Sequence, residues 1–170
     1  GNPGLKPSFT QNMRVDYQKS IPALQRAFSA DLQYMLTQNS VTNKTEYNEE
    51  TGGRITQPEN VNGNWSARAG FNFNTAFKGD QRFRMSTSTS GSMTNAVGYV
   101  YQSKAQTTIR NKTKGVHLDE SARFTFHDKN FEANVKGSIR YNHSRSTSSS
   151  ASDLDTYVFS YGGEAVWKLP

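Results

Sequence analysis

The chain has 170 residues, a net charge of +6 and a hydrophobic fraction of only 33%, yet it carries 8 Tyr, 10 Phe and 2 Trp. That aromatic content excludes a disordered chain, and no stretch approaches the roughly 18 consecutive apolar residues of a membrane helix. With no cysteine there is neither a disulfide framework nor a thiolate metal site. Lys and Arg are scattered instead of forming the aromatic-interleaved patch of a nucleic-acid binder, so nucleic acid is not expected as a partner.

The informative signal is alternation, because successive side chains of a strand point to opposite faces. Residues 9 to 17 set Phe9, Met13, Val15 and Tyr17 against Asn12, Arg14 and Asp16. Residues 23 to 37 set Leu24, Phe28, Ala30, Leu32, Tyr34 and Leu36 against Gln25, Ser29, Asp31, Gln33 and Thr37, with Arg26 the only charge on the apolar side. A polar link with Gly52, Gly53, Pro58 and Gly63 covers about 38 to 63. Residues 65 to 77 then separate almost completely: Trp65, Ala67, Ala69, Phe71, Phe73 and Phe77 on one face, Ser66, Arg68, Gly70, Asn72 and Asn74 on the other.

Residues 82 to 101 repeat the pattern through Phe83, Met85, Val97, Tyr99 and Tyr101, interrupted by Ser and Thr, with Arg82 and Arg84 opposite. Residues 118 to 126 oppose Leu118, Ala122, Phe124 and Phe126 to Asp119, Ser121, Arg123 and Thr125. Residues 131 to 141 oppose Phe131, Val135, Ile139 and Tyr141 to Glu132, Asn134, Lys136, Ser138 and Arg140. From 156 to 169, Tyr157, Phe159, Tyr161, Trp167 and Leu169 oppose Ser160, Glu164 and Lys168. No segment carries a convincing helical period.

Seven strands of roughly nine to nearly twenty residues exceed the five or six typical of globular domains and reach the roughly nine to eleven that a tilted strand needs to cross a bilayer. Their links alternate. Short ones fall at Ser20-Ile21-Pro22, Lys78-Gly79-Asp80 and His127-Asp128-Lys129-Asn130, and long polar ones at about 38–63, 102–117 and 144–153. That is the rhythm of tight periplasmic turns and long extracellular loops in outer-membrane barrels. Aromatic pairs about ten residues apart (Trp65 and Phe77, Phe131 and Tyr141, Tyr157 and Trp167) match interfacial girdles.

The expected fold is therefore all-β: an antiparallel up-and-down meander of about seven to eight long strands, with residues 1–170 one segment of a transmembrane β-barrel in the bacterial outer membrane. Leu24, Phe28, Leu32, Phe71, Phe73, Val135, Ile139, Phe159 and Trp167 are expected to face lipid. Arg26, near a short turn, would snorkel to headgroups. Arg14, Asp16, Asp31, Arg68, Arg82, Arg84, Arg123, Glu132, Lys136, Arg140, Glu164 and Lys168 are expected to line a wet lumen. Seven strands are an odd number, and single-chain bacterial barrels have even ones with no open edge, so the chain reads as part of a larger wall. The competing reading is a soluble β-sandwich binding module or cell-surface adhesin, its aromatic face buried between two sheets.

Gly1-Asn2-Pro3-Gly4-Leu5-Lys6-Pro7 resembles the GNPxLKPE phrase of TonB-dependent receptor barrels, Ser8 replacing the usual acidic residue. Asn43-Lys44-Thr45 through Glu50-Thr51-Gly52-Gly53 to Pro58–Trp65, and Leu154–Tyr157 with Phe159–Gly163, are similar to loops and strands of an outer-membrane barrel family of Bacteroidetes. The resemblance implies a barrel of about twenty-two strands, a plug domain, energy delivered through TonB, and uptake of a glycan, peptide or metal chelate. No plug is expected within these residues. Implied partners are outer-membrane lipid and lipopolysaccharide, the plug and TonB of a longer parent, and a surface lipoprotein.

No catalytic constellation is present. His117, His127 and His143 lack metal-ligand spacing, and no GxSxG, P-loop or dinucleotide fingerprint occurs. The chain is accordingly not expected to be an enzyme or to hold a cofactor. Ligand contacts, if any, are expected in the long loops, from Tyr47, Arg54, Tyr99, Tyr101 and Lys104.

Overall fold

The structure is a computed structural model that describes residues 1–77 and 80–169. Nine strands form: β1 (Phe9–Ile21), β2 (Arg26–Gln38), β3 (Ser40–Tyr47), β4 (Arg54–Val61), β5 (Asn64–Phe77), β6 (Asp80–Gln102), β7 (Thr107–His127), β8 (Phe131–Ser146) and β9 (Ser149–Trp167). Seven of them make one antiparallel sheet in the order β1-β2-β5-β6-β7-β8-β9, and β3 and β4 pair as a separate hairpin. Every neighbour in the large sheet is also the next strand of that sheet in the chain, so the topology is a plain meander.

Directly opposite residues of an antiparallel pair share a face, so the register carries one apolar stripe across all seven strands. One row runs Tyr17, Ala30, Phe71, Thr89, Glu120, Ile139, Phe159. A row nearer the tight turns brings Phe83 opposite Phe126, and another Phe131 opposite Trp167. A slip of one residue in mid-strand would turn the strand inside out; among the described residues the register shifts only beside Phe77 and between Ser144 and Ser146, both next to turns.

A sandwich would bury the apolar stripe, and that does not happen. Phe71 is 42% exposed, Val135 62%, Ile139 47% and Phe159 68%. No large side chain is fully buried among the described residues, and the buried apolar ones are only Val61, Ala76 and Val97. Among the described residues no second sheet covers the apolar stripe, and only the small β3–β4 hairpin packs on the sheet, at the far tip of β6, so the soluble β-sandwich is overturned.

Four expectations are corrected. The 102–117 link is mostly strand, because β6 and β7 stay paired up to Gln102 and Thr107 and turn only between them. The 144–153 link is also strand apart from Thr147 and Ser148. The 38–63 link folds as the β3–β4 hairpin, its tip held by Asn48, whose side-chain carbonyl accepts from the Glu50 and Thr51 amides. At the tight-turn end, Leu24 lies in a 3-10 turn over Pro22–Leu24 instead of in β2, and Gln25 closes that turn at φ 47°. Of the turn expected at Lys78-Gly79-Asp80, Lys78 and Gly79 lie outside the described residues.

The physical reason for the first two corrections is one-sided. A ladder of backbone hydrogen bonds extends as far as two strands stay side by side, whatever the side chains. Near the far tips the outer face takes Lys112, Lys114 and Arg145 in place of aliphatic residues, so hydropathy alternation disappears while the strand continues. The result is β6 with 23 residues and β7 with 21, roughly 70–80 Å of strand each.

Candidate functional site: the polar face and the strand tips

The face opposite the apolar stripe is predominantly hydrophilic, its larger apolar members being chiefly Met35 on β2 and Leu154, Val158 and Val166 on β9. Its central row runs Gln18, Ser29, Asn72, Ser88, Ser121, Ser138, Ser160. Small hydroxyl and amide side chains keep this row low, and a shallow trough of about 550 Å³ lies over it between β6 and β9, walled by Arg123 and Lys136. Those two cations stand directly opposite one another, and neither has an ion pair among the described residues. The carbon chain of Lys136 lies over Gly162, where a Cβ would sit 3.3 Å from Cε.

The expected lumen residues share this polar face by register: Arg14, Asp16, Asp31, Arg68, Arg84, Arg123, Glu132, Lys136, Arg140 and Glu164. Arg14 pairs with Asp16 at 2.8 Å, and Asp31 lies against Gly70, where any Cβ would strike its carboxylate. Arg84 donates to the side-chain carbonyl of Gln25 at 3.0 Å. Arg82 sits at the turn end, 3.6 Å from Asp128. Lys168 lies just past β9, its amide bonded to the Asn130 carbonyl at 2.8 Å. Sequence reasoning missed a network on the same face. His117 bonds Asn142 through Nδ1 and Asp119 through Nε2, and Asp119 also takes the Arg140 Nε–H at 2.9 Å. The signal lies in period two, but the apolar contrast along β7 begins only at Leu118, one residue after His117.

The apolar face gathers aromatics near the tight turns and again towards the tips, with a further run of Tyr17, Phe28 and Phe71 between them, ring centroids 5.6 and 6.4 Å apart. Near the tight turns, Phe77, Phe83, Phe126, Phe131 and Trp167 form a continuous chain of ring contacts with centroids 4.8–6.4 Å apart. Further up, Tyr34 stacks on Trp65 at 6.3 Å and Tyr141 on Tyr157 at 4.8 Å. Arg26, on this face, places its Nε 3.1 Å from the Thr75 hydroxyl and its guanidinium 6.0 Å from the Phe73 ring centroid.

At the tips, the expected loop residues take different places. Arg54 lies over the Tyr101 ring at 4.8 Å, and Lys44 over Tyr99 at 5.3 Å. These cation–π contacts dock the hairpin against β6, helped by Thr108 donating to the Thr45 carbonyl and Arg110 to the Asn62 carbonyl. The hydrogen bond to Glu46, with the charges of Glu46 and Glu59, holds the Lys44 ammonium above its usual pKa against the opposing effect of desolvation. Tyr47 is half-buried near the hairpin tip, and Lys104 is exposed in the β6–β7 turn. The structure brings Arg54 and Tyr101 together and leaves Tyr47 and Lys104 apart from that contact.

Residues 1–164 match the model of the outer membrane protein beta-barrel family. The chain belongs to that family. No curated protein and no solved structure matches it. As a member of an outer membrane protein beta-barrel family, the protein resides in the bacterial outer membrane. An exposed apolar stripe bounded by two aromatic levels is what such a wall requires where it meets lipid.

Proposed function

We propose that the chain is wall of a TonB-dependent receptor that takes up a nutrient, whether glycan, peptide or metal chelate. The observation that carries the reading is that the edge strands, β1 and β9, are paired on one side only among the described residues, although they bear the same two-faced pattern as the strands inside the sheet. In lipid every strand edge must be satisfied, so further strands close the wall beyond these two. The lipid-facing set is then Phe28, Leu32, Phe71, Phe73, Val135, Ile139, Phe159 and Trp167, with Leu24 at the turn. The Ser–Asn–Arg face lines a wide wet lumen that a plug domain and cargo occupy. The phrase Gly1–Pro7 supports the receptor class by resemblance. The reading assigns no catalytic group, cofactor or nucleic acid. Its partners are membrane lipid and lipopolysaccharide outside, plug and TonB inside, and a surface lipoprotein at the tips, where Lys104 is exposed and Tyr47 half-buried.

Uptake tests the proposal. Cells expressing the full-length protein should accumulate a labelled nutrient, and deleting TonB or collapsing the proton-motive force should reduce accumulation to background. Uptake that persists unchanged in both conditions would leave a passive pore or a purely structural barrel.

A further inference from the structure

Above the upper aromatic level the outward face changes character abruptly. On β7, Val116 is followed at the next outward positions by Lys114 and Lys112. On β8, Tyr141 is followed by His143 and Arg145, and Arg145 stands directly opposite Lys114. Lys112 and Lys114 are exposed and have no ion pair among the described residues. Arg145 shares Asp153 at 3.6 Å. Towards β9 the patch is bounded by Asp155, which the Tyr141 hydroxyl and His143 already occupy at 2.9 and 2.7 Å. Towards the tip it is bounded by Arg110, whose guanidinium is committed to Asn62. Like charges placed directly across a strand pair repel, and although Asp153 offsets Arg145, Lys112 and Lys114 are left without a counter-charge among the described residues, so the patch is incomplete without a further anion.

Height decides which anion. At about 3.4 Å per residue, the twelve residues from Phe126 to Lys114 climb about 41 Å along β7, or about 31 Å along the membrane normal at a tilt near 40°. The apolar band of such walls is about 25 Å tall. Lys114 and Lys112 therefore stand just above the hydrocarbon, at the depth of lipid phosphates, with Leu118, Val116 and Tyr157 immediately below them for acyl chains. From this register and depth we infer that Lys112, Lys114 and Arg145 form a site for the phosphate groups of a lipopolysaccharide molecule in the outer leaflet. This rests on the membrane-wall reading above but is independent of transport.

The test uses the full-length protein in detergent micelles, titrated with phosphorylated lipid A, enzymatically dephosphorylated lipid A and inorganic phosphate, with bound lipid counted by native mass spectrometry. Phosphorylated lipid A should bind, the dephosphorylated lipid at least about tenfold more weakly, and inorganic phosphate should not compete. K112Q/K114Q should weaken binding about thirtyfold, the contribution of two interfacial charges, whereas K112R/K114R and the polar-face control R123Q/K136Q should retain it. Equal binding of both lipids, competition by inorganic phosphate, or undiminished binding by K112Q/K114Q overturns the site. Should the double variant fail to form a heat-modifiable barrel, K112Q and K114Q are read singly, each expected to lose about fivefold. Failure of the wild-type protein to enter lipid at all strikes the membrane reading, whereas a folded barrel indifferent to phosphate strikes this inference alone.

Discussion

Glu120 is the only carboxylate that the register places on the apolar face between the two aromatic levels among the described residues, opposite Ile139 and Thr89. It accepts the Thr89 hydroxyl, which recovers part of the cost of holding a carboxylate against lipid. We expect E120L to stabilise the full-length barrel in lipid vesicles by about 1 kcal/mol, read as a higher urea midpoint on refolding. A lower midpoint would mean that Glu120 does not face hydrocarbon. Gly63 presents the opposite case. Its φ of 115° lies where side chains are strained, and a Cβ would come 2.8 Å from the Val97 methyl. Gly63→Ala should cost about 1–3 kcal/mol and loosen the base of the hairpin. An unchanged unfolding midpoint would exclude that geometry. Neither residue was distinguishable in the sequence: Glu120 needs the register to place it on a face, and a glycine in a polar link looks like any loop glycine.

At the level of strands, what could be read and what could not divide at the membrane surface. Inside the bilayer the wall must be oily on one side and wet on the other, so residues 65–77 and 131–141 declared themselves as strands through side chains alone. Beyond it both faces are wet. Residues 107–117 then alternate Thr, Arg, Lys and Asn without contrast, and only backbone pairing with β6 reveals the strand. The β3–β4 hairpin was hidden for the same reason, with Thr45 opposite Thr56 and Asn43 opposite Pro58. Its docking depends on Arg54 and Tyr101, contacts between residues far apart in sequence. R54A should make the hairpin more susceptible to chymotrypsin on intact cells while heat-modifiable gel mobility of the barrel stays unchanged. Equal cleavage rates in the variant and the wild type would show that the cation–π contact does not hold the hairpin down. The aromatic chain near the tight turns belongs to this scale too. Phe126 touches both Phe83 and Phe131, and F126A should lower barrel stability by about 1–3 kcal/mol. A loss no larger than that of an isolated interfacial Phe would argue against a cooperative ring.

For the molecule as a whole, the two faces make a prediction that the absence of native cysteine renders clean. Single cysteines at Phe71, Val135 or Phe159, carrying a fluorophore in vesicles, should be quenched by brominated lipid and shielded from aqueous iodide. Labels at Asn72, Lys136 or Ser160 should behave in reverse. A uniform response at all six positions would dissolve the distinction between outside and inside on which the wall depends. The meander and the identity of its two faces were visible in period two. That the sheet is unclosed was implied by the odd count of seven strands, but which two strands form its edges, β1 and β9, follows only from pairing, because edge and interior strands carry the same side-chain pattern.

On the orientation proposed above, with the strand tips outside, the extra reach of β6 and β7 sets what the cell presents to its surroundings. From Phe83 to Gln102 the strand rises about 50 Å along the membrane normal, leaving its last turns about 25 Å clear of the hydrocarbon as a braced two-stranded post and not a slack tether. Ser103 to Gln106 crown that post, so antibodies, phage fibres or host proteases arriving from the medium would meet those residues first. An epitope tag inserted there should decorate living cells without disturbing anything beneath.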